Sequence, residues 1–380
     1  MSAEIFHNCK AKTNALELSF LRARPCCLFR TPGRPQINPK LGVDHVLESF
    51  KHYTDEKVEK GCIKCIKQEN NGVRSKRNYL DTLLKDGEYD FYYDFQLSNL
   101  CNLACKMCSP NFSSRLVKPF EFYKQKGYDD DNGMVSPILP NKWDWEIVDK
   151  IFEDINKRTK DKKIVIELKG GEPTMQPEFK DFFDKFENVQ NVRLDIITNL
   201  QRLPDYFLEN ISKFEEINVG VSLEGTEETY EYVRTLGDWK TFKSNLETLA
   251  KETRTFNNKI GLHFHPKIIS YGLSNVQDLL EFMDYGESLG FIGAGDTSIA
   301  EIIWTPHHSC PLYLPKDYVE TVVSRISHKR DGKLKKLLLG SNSYTEKQMQ
   351  NTLKFIELTD EFNKKDFWQT PTGKELKNYL

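Results

Sequence analysis

The chain has 380 residues, with 54 Lys and Arg against 56 Asp and Glu. That length holds one large catalytic domain with a smaller unit, or two ordinary domains, and the net charge of -2 supplies no general attraction to a nucleic-acid backbone and no basic tail to track one. No run of 18 apolar residues occurs, and Met1 to His7 lacks a basic region followed by an apolar stretch, so a cytoplasmic protein with no membrane partner is expected.

Nine cysteines punctuate the sequence. Cys9, Cys26-Cys27 and Cys62-Ile63-Lys64-Cys65 lie in the first 85 residues, and Cys101, Cys105 and Cys108 follow in one short run. These two groups have metal-ligand spacing, and a reducing compartment keeps such thiols available for iron. From Tyr89 onward, short strand-like runs alternate with amphipathic helical patterns, as in repeated βα units around a parallel sheet. Six strands are predicted, at Tyr89 to Leu97, Lys163 to Lys169, Val192 to Thr198, Ile217 to Leu223, Ile260 to Pro266 and Thr297 to Ile303. Helices are predicted over Trp143 to Lys157, Pro177 to Glu187, Pro204 to Phe214, a pair across Thr226 to Thr253, and Ser274 to Leu289. The stretches Lys124 to Asn141 and His328 to Ser343 read as solvated loops.

The most informative run is Leu100-Cys101-Asn102-Leu103-Ala104-Cys105-Lys106-Met107-Cys108, directly after the first of these strands. Three thiolates at that spacing wrap three irons of a cubane and leave the fourth without a protein ligand. The second strand runs into Lys169-Gly170-Gly171-Glu172-Pro173. Two glycines permit a close approach of main chain to a ligand, and a glutamate offers an acceptor to an ammonium. Three cysteines make an incomplete structural zinc site, and such a site gives the glycine-glutamate turn no role.

Together the two motifs resemble the radical S-adenosylmethionine (SAM) superfamily. The resemblance implies a partial (β/α)6 barrel over residues 86–310, between a small N-terminal Cys-rich domain at 1–85 and a C-terminal helical extension at 311–380. It implies a 4Fe-4S cluster on Cys101, Cys105 and Cys108 whose open iron chelates SAM, with Gly170, Gly171, Glu172 and Pro173 holding the methionine amino group. Asn199 and Ser222, which end the third and fourth strands, carry over as contacts to the ribose; capping of a turn and of a helix is the alternative for each. Arg234, in a stretch similar to one in relatives, carries over as a partner of the methionine carboxylate, with a surface ion pair as the alternative. Met107 stands where many relatives have an aromatic residue; a methionine can pack on an adenine or cluster edge much as a ring does.

The upstream cysteines resemble the auxiliary-cluster module called a twitch domain, here placed before the barrel. The resemblance implies a second 4Fe-4S cluster on Cys9, Cys26, Cys62 and Cys65, with Cys27 as the alternative to Cys26; spacing alone does not separate this from a four-cysteine zinc site. The expected activity is SAM cleavage to a 5'-deoxyadenosyl radical and hydrogen abstraction from a peptide or small metabolite, with the auxiliary cluster assisting oxidation and a flavodoxin or ferredoxin as reductant. Four other readings compete: an epimerase in which Cys310 donates a hydrogen atom, a zinc-stapled scaffold without catalysis, an RNA-modifying enzyme, which the charge balance disfavours, and a small-molecule synthase that consumes one SAM per turnover without needing the upstream cluster. His263, His265, His307 and His308 lie at or just beyond late-strand ends, as substrate contacts or as ordinary packed imidazoles.

Overall fold

The computed structural model describes residues 9–19, 22–29, 42–70, 74–85, 87–96, 98–128, 145–256, 258–291, 302–340 and 343–380. Seven strands form one sheet in the order β2-β1-β3-β4-β5-β6-β7. They are β1 (Ala15–Ser19), β2 (Arg22–Arg24), β3 (Phe91–Gln96), β4 (Ile164–Leu168), β5 (Val192–Thr198), β6 (Glu216–Leu223) and β7 (Lys259–Pro266). All neighbours pair in parallel except β2, which turns back antiparallel on β1. The alternation of strand and helix predicted from Val192 to Leu289 is present, with the helices Asp205–Ile211, Glu227–Val233, Trp239–Thr253 and Val276–Ser288 between or after the strands.

Side chains alternate along each strand, and the two faces differ in chemistry. On one face Phe91, Tyr93 and Phe95 of β3, Ile164, Ile166 and Leu168 of β4, and Val219 and Val221 of β6 join the main apolar core with the helix residues Phe152, Phe182, Phe242 and Leu279. The other face carries Glu17, Asp94, Glu167 and Asp195, all buried. A parallel sheet covered on both sides usually reads as continuous apolar runs. Here the second face is instead lined by ion pairs: Arg24 with Glu17, Lys169 with Asp94 at 2.6 Å, Lys76 with Glu167 at 3.3 Å and Arg193 with Asp195 at 2.8 Å. Burying these charges is tolerable because each has its counter-charge.

Three expectations need amendment. No strand was expected before Tyr89, yet β1 and β2 extend the sheet from within the Cys-rich segment; five residues interrupted by Glu17 make a weak pattern, and Arg24 neutralises that glutamate only once the chain has folded back. The predicted sixth strand falls mainly on residues outside the described set, but Ile302 bridges Ile268 in parallel. The lysine-rich stretch assigned to a loop holds a helix, Asp331–Gly340, because Leu334 and Leu338 are spaced to bury one face and Asp331 pairs with Lys335 one turn on. Of the other expected loop, residues 124 and 125 end the helix Val117–Gln125, and residues 129–141 lie outside the described residues.

Candidate functional site

The loop after β3 is held by its own backbone. Ser114 N–H bonds Asn99 O at 2.7 Å, Cys108 N–H bonds Cys105 O at 3.0 Å, and Ser113 Oγ donates to Leu103 O at 2.5 Å. It also pairs with the segment beyond β6, through Ala104 N–H to Thr235 O and Lys106 N–H to Val233 O, both 2.9 Å. Cys101 and Cys105 are buried and Cys108 half-buried, and the three pack with Leu103 and Met107. Burial raises all three thiols, Cys101 to about 11 and Cys108 to about 12; Glu172 raises Cys101 further, Cys108 and Cys101 raise Cys105, and Cys101 raises Cys108. Bound metal reverses this preference by displacing the protons.

The glycine-glutamate turn sits against the base of this loop. Gly170 and Gly171 have φ of +81° and +56°, where side chains are strained. A Cβ on Gly171 would stand 2.4 Å from Leu100 O, and one on Gly170 would stand 2.0 Å from Gln96 Cγ. Glu172 N–H donates to Leu100 O at 2.8 Å, so turn and loop are directly bonded.

The carboxylate of Glu172 is committed within the protein. Thr174 N–H at 3.2 Å, Thr174 Oγ1 at 2.8 Å and Thr198 Oγ1 at 2.7 Å donate to Oε1, while Asn199 N–H donates to Oε2 at 2.7 Å. It caps the short turn Pro173–Met175 and ties β4 to the end of β5. Burial pushes its pKa up against the opposing pull of these donors. Pro173 is the first residue of that turn.

Asn199 also joins this assembly. Its Nδ2 donates to Asn102 Oδ1 at 2.8 Å and approaches Cys101 Sγ at 3.8 Å, while its Oδ1 accepts from Gln201 N–H at 2.9 Å, so the turn-capping alternative holds alongside contact with the cysteine loop. Ser222 is half-buried at the end of β6, opposite His265. Arg234 is buried, and its Nε and Nη2 donate to Glu224 at 2.6 and 2.7 Å, leaving Nη1 at 3.9 Å from Cys105 Sγ. The ion pair is therefore internal, because a buried guanidinium needs a counter-charge. Sequence reasoning assigned Glu224 no role; its place directly after β6, ten residues before Arg234, was the available signal.

Of the upstream cysteines, Cys9 and Cys26 pack against one apolar cluster and Cys62 and Cys65 belong to another. Cys62 and Cys65 share a face of the helix Asp55–Asn70, Cys9 precedes the turn of helix at Ala11–Asn14, and Cys26 follows β2. Cys9 is raised to about 12 by burial and, in part, by Asp81, Cys62 and Cys65, and Cys26 is raised by burial and then by Cys27, Cys65 and Cys9. Adjacent Cys27 also feels Lys169, Asp94, Lys76 and Glu167 on the polar face of the sheet. Cys310 is buried in the main apolar core, and burial raises it to about 11.

His263 and His265 face each other with Nε2 atoms 3.0 Å apart over Gly220, where a Cβ would collide with His265. His308 is buried, bonded to Tyr271 and stacked on Phe355, a packing role.

Residues 95–282 match the family model described as the Radical SAM superfamily. Among solved structures, Streptococcus suis SuiB bound to precursor peptide SuiA is 11% identical over 62% of this chain and 43% of its own, with a TM-score of 0.36. SuiB bound to S-adenosylmethionine is 13% identical over 67% and 56%, with a TM-score of 0.36. The structure of anSMEcpe with bound AdoMet is 19% identical over 66% and 67%, with a TM-score of 0.38. The chain thus spans about half the length of the SuiB structures. No curated protein matches it.

Proposed function

Because this chain is a member of the radical SAM superfamily, we propose that Cys101, Cys105 and Cys108 hold a 4Fe-4S cluster at which SAM is reductively cleaved. The donor set fits the group: three thiols packed together on one loop, with side-chain N–H donors directed at two of the sulfurs and a glycine turn whose close approach no side chain permits. With cluster and SAM bound, the chemistry supplied is a 5'-deoxyadenosyl radical that abstracts hydrogen from substrate. The protein's task is to position the reactants and exclude water. Gly170 and Gly171 let the main chain approach the cofactor, and Ser222 offers a hydroxyl at the end of β6. The commitment of the Glu172 carboxylate to four donors supports a role in shaping the turn more than direct contact with an ammonium.

A second cluster on Cys9, Cys26, Cys62 and Cys65, in an N-terminal twitch-like unit, is proposed to assist oxidation of the substrate. The single observation that supports it is the electrostatic proximity of Cys9 to Cys62 and Cys65 and of Cys26 to Cys9 and Cys65, while Cys27 borders Lys169 and Asp94. The proposed substrate is a peptide or small metabolite, the reductant a flavodoxin or ferredoxin, and the setting a reducing, cytoplasmic one. Among the described residues no helix is long and apolar enough to cross a membrane.

Metal analysis of the anaerobically reconstituted chain tests this reading. Two cubanes give about eight irons per chain with charge-transfer absorbance in the visible. About four irons with one zinc refutes the auxiliary cluster alone, and zinc without iron refutes the whole reading.

A further inference from the structure

The side chains around Cys101 and Cys105 are organised in a way that ligand holding alone does not require. Arg234 presents a rigid planar fork, so fixing two of its nitrogens on Glu224 fixes where the third points. That third nitrogen, Nη1, lies 3.9 Å from Cys105 Sγ. Glu224 is itself buried, and its two oxygens receive Nε and Nη2 at 2.6 and 2.7 Å. The backbone pairing of Val233 and Thr235 with the cysteine loop keeps the guanidinium in register with its sulfur. On the other side Asn199 is fixed by two bonds, Nδ2 to Asn102 Oδ1 and Gln201 N–H to Oδ1, so its remaining N–H is directed at Cys101 Sγ, 3.8 Å away. Leu103 N–H adds a third donor, 3.4 Å from the same sulfur. Cys108 Sγ faces the carbonyl of Ser109 at 3.9 Å.

We infer that Arg234, steered by Glu224, and Asn199 are positioning residues that raise the electron affinity of a cluster bound at Cys101, Cys105 and Cys108. The inference rests on the proposed assignment of those ligands and goes beyond it by naming what tunes the bound group. Reduction adds negative charge that spreads onto the ligand sulfurs. Donors and a cation directed at those sulfurs stabilise the reduced form, and hydrogen bonds to sulfur together with net local charge are the main protein levers on such potentials. Glu224 acts in the opposite sense, since its carboxylate offsets the guanidinium charge while fixing its direction.

The test measures the midpoint potential in the reconstituted full-length chain, following the EPR signal of the reduced cluster that changes when SAM is added. Arg234→Lys keeps the charge but cannot bond Glu224 and reach Cys105 together, so the potential falls. Glu224→Gln keeps the guanidinium and removes its counter-charge, so the potential rises. Each shift is expected to be about tenfold in the reduction equilibrium, or 59 mV for one electron. General loosening of the site moves both variants the same way, and a shift of equal sign, or none, overturns the inference. Should Glu224→Gln take up no iron, Asn199→Ala and Arg234→Lys are compared with Thr198→Val, which removes a bond to Glu172 and touches neither sulfur: the first two lower the potential and the third leaves it unmoved, and any other pattern overturns the inference. A wild-type chain that binds no iron at these cysteines refutes the ligand assignment; iron bound normally with unmoved potentials refutes the tuning alone.

Discussion

Replacing Glu172 with glutamine separates two roles for the glycine-glutamate turn. The carboxylate is 1% exposed and accepts from Thr174 N–H, Thr174 Oγ1, Thr198 Oγ1 and Asn199 N–H. An amide keeps one acceptor oxygen. If that oxygen faces the threonines, its NH2 meets Asn199 N–H; if it is flipped, the NH2 meets Thr174 N–H, since the hydroxyls can turn but the backbone cannot. Either way a buried backbone donor is orphaned, at a cost of about 1–3 kcal/mol, and a charge-assisted bond worth about 1.5–3 kcal/mol is lost. Relief of the buried charge, which pushes the Glu172 pKa up, offsets part of this and leaves about 2–3 kcal/mol. Hydrogen exchange reads it directly: at about 1.4 kcal/mol per tenfold, the Asn199 or Thr174 amide should exchange roughly 30 to 150 times faster in the variant. Unchanged exchange at both amides together with weakened SAM binding would show the carboxylate turned to the ligand and refute this reasoning.

The adjacent cysteines give a second outcome: Cys27→Ala should keep full iron content and Cys26→Ala should lose about four irons, with the reverse pattern reversing the ligand choice. Gly171→Ala combines a φ of +56° with a Cβ 2.4 Å from Leu100 O, and should lower the melting temperature and the iron bound at the cysteine loop; a wild-type melting curve would contradict the close approach. For His265, desolvation depresses the pKa to about 3 from an ordinary 6.5. Its NMR resonances should therefore not titrate between pH 5 and 8. Between those pKa values the unfolded chain binds the extra proton, so the residue's effect is to lower stability progressively as pH falls from 6.5 toward 3. A midpoint near 6.5 in the folded protein would contradict the burial of the histidine pair.

The sequence made the barrel's order readable because Val192 to Thr198 and its parallel neighbours carry strand patterning between amphipathic helices, and because the cysteine and glycine motifs sit at strand ends where parallel sheets gather function. What stayed hidden depends on side chains meeting across the fold. Strand β1 is concealed by Glu17, whose partner Arg24 arrives only by the antiparallel return. Arg234 reads as a ligand for a carboxylate, and the structure supplies one, but from Glu224 of the same chain. Glu172 reads as an open acceptor, yet Thr198 and Asn199, 26 and 27 residues on, fill it. Cys26 and Cys27 are equivalent in spacing and differ only in their folded surroundings, one near Cys9 and Cys65 and the other near Lys169 and Asp94. The helix at Asp331–Gly340 was masked by three lysines and by glycines near both ends, although Leu334 and Leu338 pack in the core.

The central claim is that the buried loop at Cys101, Cys105 and Cys108 supports cleavage of SAM. The most direct measurement is 5'-deoxyadenosine formed from SAM and dithionite by the anaerobically reconstituted chain, compared with Cys105→Ala treated identically. The wild type should release 5'-deoxyadenosine and the variant none, because two remaining thiolates cannot hold a cluster with one iron open. Equal 5'-deoxyadenosine from the two proteins, or none from an iron-loaded wild type, would contradict the account.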